Sequence, residues 1–360
     1  MSAHHSSGLR RTRQDGAAGA VCGVALAITA LLLSGCTAST AASGGAASGA
    51  GDAVAEEVPQ AQPAPTPRVT PSSKPASPQL AAKLTHKSTP IARSTATAPR
   101  PASGFPTAAT TGVPNGTALK VVNGDQVFSR TGQIVVGMDF HGFVKVAGRN
   151  VTFRNCVFRG RATGRNAALL DAENGIGTVV EDSEFVPSNP SATIDGIWAR
   201  DTKIYRANIH GSVDGIKAYS DTLVQDSYIH DMRSFSSDPN QGGGPTHNDG
   251  VQSFGDVARV TLRHNTIDMS TSKDANAAYQ SSARDSLIEN NSLDGGGCTL
   301  NFSHKDAGTS ISGIRVVGNR FGRHSFYQCP ILLSTKSFLS QNSGNVWDTG
   351  AAIPPPQRHD

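Results

Sequence analysis

The sequence predicts an all-β fold, a solenoid of short strands behind a long N-terminal segment with no fold of its own. Three observations lead there. A degenerate repeat with a period mostly between 20 and 28 residues runs through the later part of the 360-residue chain. No run of 10–15 residues with helical periodicity separates its strands, which argues against a doubly wound or (β/α) barrel fold. Residues 37–103 hold 48 Ala, Ser, Thr, Pro or Gly in 67 positions and no aromatic side chain. Such a stretch cannot bury enough apolar surface to offset its ordering entropy. The folded domain is expected over residues 104–350. The end, 351–360, contains Pro354-Pro355-Pro356 and is expected to be a disordered tail.

At the N-terminus, Arg10, Arg11 and Arg13 precede an apolar run from about Val21 to Leu33. That is the charged and apolar pattern of an export signal, too short to span a bilayer comfortably. The run ends Leu33-Ser34-Gly35-Cys36, which resembles the lipobox of bacterial lipoproteins. The resemblance implies that residues 1–35 are a signal peptide cleaved after Gly35 and that Cys36 carries a lipid. The protein would then be extracytoplasmic and held on the cell membrane by that lipid. Residues 36–103 would form a disordered tether, flexible around Gly44-Gly45 and extended where Pro59, Pro63, Pro65, Pro67, Pro71, Pro75 and Pro78 recur. The net charge of +4 belongs to this leader and tether, because residues 104–360 carry 23 Lys/Arg against 24 Asp/Glu. A nucleic-acid-binding domain would concentrate its basic excess on the folded part, so no nucleic-acid partner is expected.

Seven segments of the domain share an apolar residue, four positions, then another. They are Phe153/Phe158, Val180/Phe185, Ile204/Ile209, Val224/Ile229, Leu262/Ile267, Ile288/Leu293 and Val316/Phe321. The one long step, 38 residues, carries an insertion at about Met232–His247. Between the pairs lies a second strand signature: Asp195-Gly196-Ile197, Asp214-Gly215-Ile216 and Asp249-Gly250-Val251, continued weakly at Thr299-Leu300 and Ile331-Leu332. Three positions after each first apolar residue comes a small or amide side chain: Cys156, Ser183, Ala207, Ser227, Asn265, Asn291 and Asn319. Side chains of that kind at a tight bend can stack from rung to rung.

In these features the sequence resembles the right-handed parallel β-helix of the pectate-lyase-like superfamily, whose inner Asn ladders look like this column. The resemblance covers about residues 115–345 and implies a single-stranded right-handed parallel β-helix. It is weak for activity, since the fold hosts lyases, hydrolases, epimerases, esterases and plain binding proteins. The Asn-Thr-Asp, Asp-Asp and Gly-His-Gly set of polygalacturonases is missing, and Thr246-His247-Asn248-Asp249-Gly250 is similar only to its first piece. His247 to Gln252 instead resembles a His-x-Asp-Gly-Ile-Gln stretch of secreted bacterial β-helix proteins. On such a helix Cys298 and Cys329 would occupy equivalent positions on successive coils. Rungs lie about 4.8 Å apart, within disulfide reach, and export permits oxidation. A Cys298–Cys329 bridge is therefore expected, and Cys156 is expected to remain a buried thiol.

Two outward columns hold the candidate chemistry. One places His210 and His230 a rung apart, and the other runs Trp198, Lys217, Gln252. Asp195, Asp214 and Asp249 stack where the strands of the second column begin. The insertion adds Arg233, Asp238 and His247, and long loops in a solenoid usually decorate one functional face. The expectation is one groove faced by His210, His230, His247, Asp214, Asp249 and Lys217 as catalytic groups, with Trp198, Tyr219, Arg233 and Gln252 binding substrate. The partner would be a polysaccharide or cell-wall glycan, met by a monomeric protein. Neutralisation of a uronate carboxylate by Lys, Arg or Ca²⁺, with a His, Lys or Tyr base, is what β-elimination needs; hydrolysis is the other reaction expected. Ca²⁺ is a possible cofactor for the former; no metal ligand set is assigned. The rival reading is a non-catalytic glycan-binding or envelope scaffold module, in which Asp-Gly pairs are plain turn residues and the histidines an incidental stack.

The anchoring expectation is testable directly. Cys36→Ser should move the protein from the membrane fraction to the medium or leave it unprocessed; unchanged fractionation and processing would contradict a lipid at Cys36.

Overall fold

The computed structural model describes residues 104–359. The segments expected to be a signal peptide and a tether, with Cys36, lie outside the described residues. The fold is the expected single-stranded parallel β-helix, with three parallel sheets of ten, ten and nine strands. Each coil contributes one short strand to each sheet, so strands adjacent in a sheet are one coil apart in sequence. Among the described residues the one helical element is a single 3-10 turn, Pro239–Gln241.

The repeat pairs take the places their spacing requires. Their first members, from Phe153 through Val316, pair residue to residue along the third sheet. Their second members do the same along the first sheet: Phe158, Phe185, Ile209, Ile229, Ile267 and Leu293 form one stack and are all fully buried. Phe140 extends that stack at one end, Phe321 and Trp347 at the other. The second sheet supplies the remaining core column, Leu170, Ile197, Ile216, Val251, Tyr279, Leu300 and Ile331. Side chains alternate faces along a strand, so a slip of one residue would turn each of these outward.

The bend between the third and first sheets explains the amide column. Two residues after each first apolar position the backbone enters the left-handed region, at Asn155, Asp182, Arg206, Asp226, His264, Asn290 and Gly318. The following residue then points inward and meets its equivalent on the next coil. Asn291 Oδ1 accepts from the N–H and Nδ2 of Asn265, while Asn291 Nδ2 donates to Leu262 O and Asn319 Oδ1. Asn319 repeats the pattern toward Asn345, one rung beyond the predicted column. Where the amide shrinks to serine, the hydroxyl still accepts: Ser183 Oγ from Cys156 N–H, Ser227 Oγ from Ala207 N–H. Burial pushes the Cys156 thiol up, in keeping with an inert core cysteine. Cys298 and Cys329 pair in register, 4.7 Å apart at Cα, and are disulfide-bonded.

The expected tail is a correction. Residues 351–359 belong to the fold: Ala352 bridges to Val346, Ile353 packs on the core, and Gln357–Arg358 adds the last strand of the second sheet against Leu332 and Leu333. Arg358 Nη1 donates to Ser334 O and Ser337 O. The physical reason is that three prolines hold the backbone extended, the conformation a strand approach needs, and none of them is asked to donate to the ladder.

Asn291 carries four buried hydrogen bonds, and a buried polar group left unpaired costs about 1–3 kcal/mol. Asn291→Ala should lower the unfolding free energy by at least about 3 kcal/mol in urea titration. Arg315→Ala, outward and exposed on the next coil, should stay within about 0.5 kcal/mol. Equal effects would contradict the ladder's role.

Candidate functional site

The Asp-Gly signature builds the site. Gly196, Gly215 and Gly250 lie one above another, so close that a Cβ on Gly196 would meet Gly215 O at 2.4 Å and one on Gly215 would meet Gly250 O at 2.4 Å. Those glycines serve close approach within a sheet, which displaces the plain-turn reading of Asp-Gly. Asp195, Asp214 and Asp249 precede them and stack in one buried column. Asp249 N–H donates to Asp214 Oδ1 at 2.9 Å. Lys217, in the outward column beside them, lies 2.7 Å from Asp195 Oδ2 and 3.7 Å from Asp214 Oδ2. Trp198 Nε1 also donates to Asp195 Oδ2, at 2.6 Å, and Gln252 Nε2 donates to Asp249 Oδ2 at 2.8 Å. Asp195 Oδ1 and Asp249 Oδ1 are buried with no hydrogen-bond partner.

Two carboxyls share one ammonium and a third stacks beside them, which sets the charge balance. Burial, then the neighbouring Asp195, raises the Asp214 carboxyl to about 7. Burial and Asp214 likewise push Asp249 well above the usual carboxylate range. Burial works against the Lys217 ammonium, but Asp195 and Asp214 outweigh it and hold lysine charged beyond its ordinary range. Lys217 is therefore a fixed cation and not a base.

Asp195, Asp214 and Lys217 open onto a polar cleft of about 250 Å³. His247 and Gln252 line it as expected. The rest of the wall that matters chemically was not expected from the sequence: Asn166, Asn240, Gln241, Asn276 and the aromatic Phe254. Asp249 sits behind Gln252 and does not line the cleft. Asp238, on the insertion, is buried in the wall, where its Oδ1 accepts from Asn240 N–H. The base of the insertion is fixed by Asn248, whose Nδ2 donates to Val213 O and Arg233 O.

Besides Asp249, five expected residues stand elsewhere. His210 and His230 do stack, with ring centres 5.1 Å apart, but on the first sheet and outside the cleft. His210 Nε2 contacts Glu184 Oε1 at 3.0 Å, and His230 contacts Asp231 and Asn208. The chain turns a corner at Gly211, in the left-handed region at φ 76°, so four residues of sequence separate two different faces. Burial lowers the His230 imidazole, and the His210 contact lowers the Glu184 carboxyl. Tyr219 packs against the core under the Arg200 guanidinium, and exposed Arg233 contributes only its carbonyl. Trp198 is half-buried and serves the acid through its N–H, without lining the cleft.

No family model and no curated protein matches the chain. Among solved structures the chain is similar to QnrB1, a plasmid-mediated fluoroquinolone resistance protein, at 11% identity over 62% of this chain and 92% of that one. The TM-score is 0.17, and the likeness carries no argument.

The arrangement does not suit the Ca²⁺ considered from sequence. The Lys217 ammonium sits between Asp195 and Asp214 where a cation would bridge them. Among the described residues, no group of three or more His, Cys, Asp or Glu is set to hold a metal ion. What the cleft does offer is a carboxylic acid that keeps its proton to neutrality, beside a carboxylate held by a fixed cation.

The raised Asp214 pKa has a thermodynamic signature. The folded protein keeps a proton that the unfolded chain loses near pH 4, so stability falls as pH rises from about 4 to 7. One such proton contributes a slope of up to about 1.4 kcal/mol per pH unit. Asp214→Asn should flatten that slope in urea titrations between pH 4.5 and 7; an unchanged slope would contradict a protonated Asp214.

Proposed function

We propose that the domain hydrolyses a glycosidic bond of a neutral polysaccharide outside the cytoplasm. The reading rests on one observation, the Asp195–Lys217–Asp214 group open to an amide-lined cleft. Asp214, protonated near neutrality, donates to the glycosidic oxygen as the bond to the anomeric carbon breaks. Asp195 supplies the carboxylate for that carbon. Both acids lie within reach of one Nζ, closer together than the roughly 6.5–9.5 Å that a water-activating, inverting pair needs. A double displacement follows: Asp195 forms the glycosyl ester, then Asp214, now a carboxylate, takes the proton of the water that hydrolyses it. Asn166, Asn240, Gln241, Gln252 and Asn276 are suited to sugar hydroxyls, and Phe254 to a ring face.

Elimination from a uronate is the weaker reading. It needs positive charge for the substrate carboxylate, and the cleft's one lysine is already claimed by two acids. The same amide-rich lining favours the second reading, a glycan-binding module without turnover. Membership of the pectate-lyase-like superfamily, anchorage through Cys36 and a monomeric state complete the proposal. The apolar columns and the Asn ladder support the first, and the Leu33-Ser34-Gly35-Cys36 pattern the second.

With a panel of neutral polysaccharides, Asp214→Asn should cut kcat by about 10²–10⁴-fold. The wild-type rate should also fall as pH rises past about 7, as the acid loses its proton. Full activity in Asp214→Asn would contradict the mechanism. Retention on one glycan gel with no product from any would favour the binding module.

A further inference from the structure

We propose that the cleft takes the end of a glycan chain and not its middle, an inference that rests on the hydrolytic reading above. Its basis is a bridge built by two amides far apart in sequence. Asn166 Nδ2 donates to Asn240 Oδ1 at 2.9 Å, and Asn240 Nδ2 donates back to Asn166 Oδ1 at 3.1 Å. Both residues line the cleft.

The topology says what this bridge crosses. Asn166 leads into the strand Ala167–Ala172, whereas the insertion bearing Asn240 leads into Asp249–Ser253. In the second sheet those strands are separated by Ile194–Ala199 and Ile216–Ala218, the strands that position Asp195 and Lys217. Three strand spacings make about 14 Å. The insertion therefore reaches back over two coils to meet Asn166. Its tip is held in shape: buried Asp238 accepts from Asn240 N–H, and its carbonyl accepts from Gln241 and Gly243 N–H. Thr246 Oγ1 donates to buried Asn248 Oδ1 at the base. The bridge closes the cleft on the side of the earlier coils.

The side of the later coils is different. Phe254, on the cleft wall, is 42% exposed. Asn276 follows on the next coil, and its carbonyl accepts from Gly297 N–H. Against Gly297 lies the ring of Tyr327, which is 74% exposed. An amide and an aromatic face thus continue outward from the acids in this direction. At about 250 Å³ the cleft is smaller than the roughly 300–1,000 Å³ of pockets that hold drug-sized ligands. It accommodates about one sugar ring beside Asp195 and Asp214, with the rest of the chain leaving over Phe254 toward Tyr327. A mid-chain unit would need a second exit, through the amide bridge.

The test compares bond cleavage with loss of viscosity on soluble xylan, glucomannan, mixed-linkage β-glucan and starch. The wild type should release reducing ends while viscosity stays within about a tenth of its starting value. Asn166→Gly/Asn240→Gly should lose about half the viscosity for the same number of bonds cut; Asn240→Asp, which breaks the reciprocal pairing with less backbone freedom, should shift the same way. Early loss of viscosity by the wild type overturns chain-end binding and leaves hydrolysis standing. Bridge variants that keep native circular dichroism and the wild-type pattern overturn it too. No reducing ends from any of the four glycans overturns the hydrolytic reading and this inference with it.

Discussion

Parallel pairing in register is the constraint on which everything else in this protein depends. Each coil lays its residues over the equivalent residues of the coil before, about 4.8 Å away. A side chain is thus chosen for what it does beside a copy of its own kind. For Phe158 on Phe185, with ring centres 4.5 Å apart, that is favourable packing. For Asn265, Asn291 and Asn319 it is a chain of hydrogen bonds that satisfies each amide inside the core. The left-handed residue ahead of each amide is what aims it inward; most coils accept the strain of that conformation at a non-glycine residue, whereas Gly318 adopts it freely.

The same rule applied to Asp195, Asp214 and Asp249 produces repulsion. A buried column of three carboxyls is costly unless the charge is neutralised. One ammonium, Lys217, neutralises part of it, and protons on Asp214 and Asp249 make up the rest. The stacked glycines let the strands approach closely enough for this to happen, since any side chain at Gly196, Gly215 or Gly250 would strike the next coil. The perturbed acid is a consequence of the solenoid geometry, and it opens to solvent only where the insertion and its neighbours leave a cleft.

What could be read from the sequence was whatever the period carries. The core stacks, the amide column, the Cys298–Cys329 pair and the Asp-Gly column all repeat with the coil, so their spacing reveals their neighbours. Features set by corners and loops were not legible. His210 and Asp214 are close in sequence, yet Gly211 turns the chain between them and sends them to different sheets. Asn166 and Asn240 are 74 residues apart and share no repeat position, so nothing in the pattern joins them. Trp198 looked like a sugar platform, but its N–H holds Asp195. The closing prolines looked like disorder, but they deliver Gln357–Arg358 to a sheet edge.

The chemistry of the cleft depends on where the proton of Asp214 resides, and carboxyl carbon NMR of protein labelled at aspartate, assigned with Asp214→Asn, reads it directly. The Asp214 resonance should titrate near pH 7 and move higher still in Lys217→Met, where the neutralising cation is gone. A resonance that titrates near pH 4 in the wild type and does not respond to Lys217→Met would contradict a protonated Asp214.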